Sequence, residues 1–482
     1  MSRRSSITIK RCLVLFLATT ALPLAAVQLE TKEVQLAELG DGTIPQSVTV
    51  SSDCKRVAFV NRDETGSWVV VDGVASKKYK AVSPPLLFSP DGERLAYVAA
   101  LEPGKSLVVV NGQEWPAVER LASENGLRLL FSPNSKHLAF VCGRQERNCV
   151  MLDGVFGQGY LNLRSLKFSS DGERLAYVAV PRAGKEMLVV DGTAGAEYEQ
   201  VLGTVFSTDG KHVAYVGTRG DKRMAVLDGK EQKPYPYIAF TGSVEPGRES
   251  ETVAKALFFS PDGNRLVYFA GTPDRWRLVE GKSEGEEFHS GGAPVFSPDS
   301  HNLAFRANRD ERPFIVVNGA AQALEGKALN VGLEYSPDGK RLAHIVVAAN
   351  GRMRMVVDGV AGAEWEGISA DAAEEGEKFW FSPDSQHMAY VAERGFKWFL
   401  VGDGVEGQPY HGLAAIRFSP NSKHLACLAS VAVGRRVVID GAEVPMKATD
   451  RGLAGLRWAD GNTCYTAVQR GRKVVRLEVT VR

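Results

Sequence analysis

Apolar residues in this chain come in short runs that alternate from side to side, and the runs return at a fixed interval. The clearest copy is FSPDGERLAYVA, from Phe88 to Ala99. Leu95, Tyr97 and Ala99 point to one face of an extended segment, Ala96 and Val98 to the other, so both faces are apolar. Near-copies begin at Val50, Phe131, Phe168, Phe206, Phe259, Phe296, Tyr335, Phe381, Phe418 and Trp458. From Val50 to Trp458 is 408 residues over ten intervals, a period of about 41. Each unit reads as four short strands. In the second unit these are LLFSP, a turn at Asp91-Gly92, RLAYVAA, a polar tip EPGK, SLVVVNG, and a fourth strand around Trp115 to Leu121. A fixed repeat of this length, apolar on both sides, predicts an all-β fold: a β-propeller of about eleven four-stranded blades.

The second strand of each unit carries the packing signal. The Ala96 position is small at Ala58, Ala139, Ala176, Ala214, Ala304, Ala343, Ala389 and Ala426, with Val267 the exception. The next position is mostly aromatic, at Phe59, Phe140, Tyr177, Tyr215, Tyr268, Phe305 and Tyr390. Small beside large is what interdigitating layers need, so these are core positions rather than a cofactor box. The last unit has LRWAD, TCYTAVQ and KVVRLEVTV but no fourth strand, whereas Glu33 to Leu39 has strand character and no partner in its own unit. That N-terminal strand is expected to complete the last blade and hide its edge. Known propellers run from about four to eight blades, which favours two tandem rings, about five blades in 27–245 and about six in 246–482. A blade shared between the two ends of the chain favours the alternative, one large ring.

FSPDG followed by an apolar strand resembles the propeller repeat of TolB-like, WD-repeat-like bacterial proteins. The resemblance covers nearly everything after residue 26. It implies the fold and leaves the function open, although an envelope assembly is one setting it suggests. The same repeat occurs in the propeller domains of prolyl-oligopeptidase-like enzymes, but this chain has no α/β domain on which such an activity would run.

The first residues change the picture of where the protein works. Arg3, Arg4, Lys10 and Arg11 form a basic start, Cys12 to Leu24 is almost wholly apolar, and Ala25-Ala26 suits cleavage. Residues 1–26 are therefore expected to be a signal peptide, with export to the periplasm or beyond. The alternative is a membrane anchor through an uncleaved signal, although Cys12 to Val27 is short for a span of about 20 residues. No stable membrane insertion is expected once the signal is removed. Lys plus Arg is 58 against 57 Asp plus Glu, which gives no overall pull toward nucleic acid. A monomer is expected. Five cysteines remain after residue 26, and an odd number argues against a disulfide framework. Cys142 and Cys149 should face each other across a hairpin and are a possible disulfide, with two free thiols the alternative.

Candidate chemistry is sparse. GKSEG, Gly281 to Gly285, matches a serine-hydrolase elbow, but it follows WRLV where other units have a hairpin turn. His137, His212, His387 and His424 fall at one repeat position, too far apart for one zinc; Arg56, Arg94, Arg174, Arg265 and Arg341 occupy it elsewhere. They are expected to pair with the Asp of a nearby turn. The Asp-Gly pairs lack the oxygen density that calcium wants. No catalytic residue, metal or cofactor is expected. Every unit does carry a cation at the tip between its second and third strands: Arg62, Lys105, Arg144, Arg182, Arg219, Arg275, Arg309, Arg352, Arg394, Arg435 and Arg472. These would form a basic rim facing an acidic partner, or simply a solvated edge. The reading is an exported, non-enzymatic binding or scaffold propeller for a protein or other macromolecule. The alternatives are a hydrolase or lyase sited in the channel and a structural module of a cell-envelope assembly.

Overall fold

The computed structural model describes residues 27–121, 129–239, 256–272, 274–310, 312–325, 327–368 and 379–482. It is built of eleven antiparallel sheets that follow one another along the chain. The second strands of blades 1 to 11 are Val57–Asp63, Leu95–Glu102, Leu138–Arg144, Leu175–Arg182, Val213–Arg219, Leu266–Thr272, Leu303–Arg309, Leu342–Val347, Met388–Arg394, Leu425–Ser430 and Thr463–Arg470. In blade 2 the order is Ala81–Phe88, Leu95–Glu102, Lys105–Val110, Gln113–Glu114. The fourth strand therefore ends earlier than the sequence suggested, and Arg120–Leu121 already belongs to blade 3, paired with Gly143 and Cys142.

The recurring sequence follows from two turns. In nine of the eleven blades an Asp or Asn follows the third strand in a left-handed backbone, as with Asp72 at φ 50° and Gly73 at φ 84°. That pair of positive φ values is what a tight two-residue hairpin requires. The carboxylate then does two jobs. Asp72 Oδ1 accepts the amide of Val57 at 2.9 Å, and Oδ2 holds Arg56 Nε at 2.7 Å. In the first turn, the Ser of FSPDG is buried; Ser89 Oγ accepts the Arg94 amide at 2.9 Å and donates to Asp91 at 2.5 Å.

The held cation reaches the next blade. Arg56 Nη1 donates to the carbonyls of Gly92 and Glu93 in blade 2, and its guanidinium lies 5.5 Å from the Phe88 ring. Arg94, Arg174, Arg265 and Arg341 repeat this on Phe131, Phe206, Phe296 and Phe381. Where the position is histidine, the imidazole stacks instead, His137 on Phe168 and His424 on Trp458. A tyrosine forms a second link, as in Tyr198 Oη to Glu231 at 2.8 Å and Tyr410 Oη to Glu443 at 2.8 Å.

Apolar clusters join blade to blade. One packs Val60 of blade 1 on Tyr97 of blade 2, another Val216 of blade 5 on Tyr268 of blade 6. The last packs blade 11 on blade 1, through Ala467 with Cys54 and Val474 with Phe59. The neighbour of blade 5 is thus blade 6, and the neighbour of blade 11 is blade 1. Of the two arrangements weighed from the sequence, the single large ring is the one formed. The 245/246 position lies outside the described residues, but Tyr237–Ile238 before it and Leu257–Phe259 after it pair with the same strand, Leu266–Thr272. That division runs through blade 6. Closure is as expected: Leu29–Glu38 pairs antiparallel with Lys473–Val481 as the fourth strand of blade 11.

One junction departs from the rest. Among the described residues, no apolar cluster joins blade 7 to blade 8. Asn302 takes the place of the linking Arg or His and bonds Asn318 within its own blade. Arg306 stands where Val60 stands in blade 1, and His344 where Tyr97 stands in blade 2. Both are buried, at 2% and 4% exposure. Arg306 donates to the Gly332 carbonyl at 2.7 Å, whereas neither ring nitrogen of His344 has a hydrogen-bond partner.

Candidate functional site

Antiparallel order puts the tips between second and third strands at one end of every blade, opposite the FSPDG and Asp-Gly turns. The eleven cations read from the sequence therefore share one face of the ring. Most are neutralised there. Arg182 pairs with Glu197 at 2.5 Å, Arg219 with Glu231 at 2.7 Å, Arg275 with Glu287 at 3.1 Å and Arg309 with Glu286 at 2.6 Å. Arg394 pairs with Glu406, Lys105 with Glu102 and Arg472 with Asp41. Arg144 lies on the Phe156 ring and Arg62 bonds Ser67. Arg352 and Arg435 have no carboxylate partner among the described residues.

The tip residues the sequence reading passed over are apolar. Phe396, at the tip of blade 9, is 89% exposed and sits in a left-handed backbone at φ 59°. That conformation is uncommon for a bulky residue. Val433, at the tip of blade 10, is 78% exposed. Phe396 interrupts an otherwise polar tip, RGFK, whereas the blade 10 tip is largely apolar, VAVG, ahead of its arginines.

Beside Val433 the tip face opens into a cavity of about 360 Å³ between blades 10 and 11, lined by Arg435, Met446, Lys447, Asp450 and Arg451 among others. Its floor is a charge relay. The Asp450 side chain is 1% exposed and is gripped by Arg470 through two bonds of 2.7 and 2.9 Å. Arg470 also holds Glu33 of the closing strand at 2.9 and 3.0 Å. The guanidinium keeps the Glu33 carboxyl below the usual range, against an opposing effect of burial.

The remaining sequence candidates fall as follows. Ser283 opens the exposed fourth strand of blade 6, directly after the turn at Gly281, with no helix behind it. His137, His212, His387 and His424 each bond the Asp of their own blade, at 2.6–2.7 Å. No group of three metal-ligating side chains occurs among the described residues. Cys142 and Cys149 are directly opposite in register, with sulfurs 3.5 Å apart as thiols. Their shared hydrogen bond raises the Cys142 thiol and lowers that of Cys149. A second groove of about 490 Å³ lies on the opposite face between blades 4 and 5, lined by Arg174, Asp191, Lys211 and Asp228 among others. The residues 1–26 read as a signal lie outside the described residues, and no helix among those described is long and apolar enough to cross a membrane.

No family model matches the chain, and no curated protein matches it. Among solved structures it is similar to TolB from Acinetobacter baumannii, at 12% identity over 58% of this chain and 78% of that one, with a TM-score of 0.26. It is similar to the Dos1 propeller, at 10% identity over 69% and 95%, with a TM-score of 0.30. The Cps50 (Swd1) β-propeller domain of Myceliophteria thermophila gives 15% identity over 58% and 97%, with a TM-score of 0.26. The neighbours are TolB and WD-type propellers.

Proposed function

We propose that this chain is an exported, non-enzymatic propeller that holds a protein or other macromolecular partner on its tip face. The observation that carries this reading is Phe396, a fully presented aromatic in a costly backbone conformation on a face whose tips carry mostly charged side chains. Val433 on the next tip extends the apolar contact. Export rests on the basic start and apolar run of residues 1–26. The arginines of the opposite face are committed to blade-to-blade links, through Arg56, Arg174 and their equivalents.

The test uses residues 27–482 immobilised against an envelope extract of the producing cell. A captured macromolecule should be lost when Phe396→Asp and Val433→Asp are combined and retained when Lys211, on the opposite face, is changed to Ala. Capture that survives the tip substitutions and disappears with Lys211→Ala would move the site to the other face. Turnover of a glycoside or peptide panel by the purified protein would overturn the non-enzymatic part.

A further inference from the structure

We infer that the cavity between blades 10 and 11 is a carboxylate site that receives an acidic, extended peptide segment. The inference rests on the proposed tip-face reading and names its chemistry. In blades 4, 5, 6 and 9 the tip cation is met by an acid of its own fourth strand. In blade 4 the fourth strand places Glu197 opposite Met187, within reach of Arg182. In blade 10 the equivalent place, opposite Arg436, is Pro445. The nearby acid, Glu443, is engaged by Arg436 at 3.1 Å and by Tyr410 Oη at 2.8 Å. Arg435 is left at the cavity wall without an acid of its own.

The other acids at the cavity are also spent. Asp450 is gripped by Arg470 and accepts the Lys447 amide at 3.1 Å. Arg470 also bonds Glu33 of the closing strand. Lys447 and Arg451 line the cavity without a salt bridge among the described residues; the Lys447 charge acts on Glu33 without a direct bond, and Arg451 makes one bond, to the Pro45 carbonyl at 3.3 Å. Gly452 leaves room for the Arg435 head: a methyl group there would come within 3.3 Å of its Nη1. Three cationic residues line about 360 Å³, space for one or two acidic side chains and too little for a globular surface.

The flanking residues favour a peptide. Val433 adjoins the cavity through Gly434, and Phe396 stands on the neighbouring tip. Apolar contacts beside a cationic socket suit a chain that alternates acidic and apolar side chains. A uniformly charged polysaccharide would leave Phe396 and Val433 uncovered. Carboxylates held by guanidinium groups gain charge-assisted, paired hydrogen bonds, which surface lysines alone do not give.

The probe is a fluorescent peptide of alternating Glu and Leu, titrated by anisotropy with residues 27–482 near physiological ionic strength. Combined Arg435→Ala, Lys447→Ala and Arg451→Ala should weaken binding by about tenfold or more, and Arg182→Ala, whose cation is already paired, should not. Arg435→Lys should recover less than wild type, because the fork is lost. An unchanged melting temperature shows that the triple variant folds. Unchanged peptide affinity in the folded triple variant overturns the site. Binding of dextran sulfate in preference to the peptide overturns the peptide assignment. If the triple variant still captures the envelope partner and the Phe396 and Val433 variant does not, the tip-face reading stands and the carboxylate site falls alone.

Discussion

Arg306 of blade 7 and His344 of blade 8 face each other where the other junctions pack aliphatic and aromatic side chains. Burial brings the Arg306 guanidinium down to about 10, so it remains a cation at neutral pH. The same burial, with Arg306 opposite, brings His344 down to about 4. A neutral imidazole must then keep one N–H without an acceptor, which costs about 1–3 kcal/mol. Restoring the pattern of blades 1 and 2 with Arg306→Val and His344→Tyr together should stabilise the protein by about 1–4 kcal/mol. Thermal and chemical unfolding measure it; a less stable double variant would show that the polar pair earns its place in folding.

The same imidazole sets an acid dependence. His344 is held neutral in the folded ring, while the unfolded chain takes up a proton at about pH 6.5. Stability from this site is complete above about pH 6.5 and falls as pH drops from there toward 4, by about 3 kcal/mol in all. Arg306, the charged group that acts on His344, does not titrate in that window. Unfolding free energies at pH 7 and 4.5 for the parent and for His344→Phe should differ in slope, with the Phe variant flatter. Equal slopes would refute the assignment.

The blade-to-blade cation makes a separate prediction. Arg174 bonds Asp191 at 2.9 Å, reaches the Gly210 and Lys211 carbonyls at 3.3 and 2.7 Å, and lies 5.6 Å from the Phe206 ring. Arg174→Ala should destabilise by about 1–3 kcal/mol, and Arg174→Lys should recover little of it, since the ammonium lacks the planar fork. Full recovery by lysine would mean that only the ion pair matters there.

The thiols separate into two classes. Burial pushes Cys54 up to about 11 and both Cys427 and Cys464 up to about 12, so these should resist alkylation until the ring unfolds. Cys142 and Cys149 already touch, and an oxidant should join them without rearranging the hairpin. Peptide mapping after mild oxidation should find that pair linked and the other three as thiols. Mixed pairings would contradict it.

Removing residues 27–38 tests closure. It strips the fourth strand from blade 11 and exposes Lys473–Val481 along its length. The shortened chain should self-associate through that edge, visible as a concentration-dependent mass in light scattering. A well-behaved monomer would mean that the strand is dispensable.

The blades were legible because each is specified locally: Asp-Gly sets the third turn, Ser-x-Asp the first, and the apolar alternation the sheet between them. The closing strand was legible too, because Glu33 to Leu39 had strand character and nothing else to pair with. Ring size was not. A blade of a five-membered ring and a blade of this one carry the same turns, and what differs is a small angle spread over every junction. The junction at Arg306 and His344 did leave a trace, since both residues interrupt the aliphatic and aromatic positions of the second strand. The socket beside Arg435 left almost none, because it depends on Pro445 standing where blades 4 and 6 have an acid, and on Asp450 being occupied by Arg470.

The two ends of the described chain lie side by side: the Arg482 amide donates to the Gln28 carbonyl at 3.0 Å, and its guanidinium pairs with Glu30. A ring whose ends adjoin has no intrinsic first blade. A circularly permuted gene that links residue 482 to residue 27 and opens at another outer hairpin would encode the same object, with the seam moved. The order in which the blades are made is then a choice separable from the shape they make.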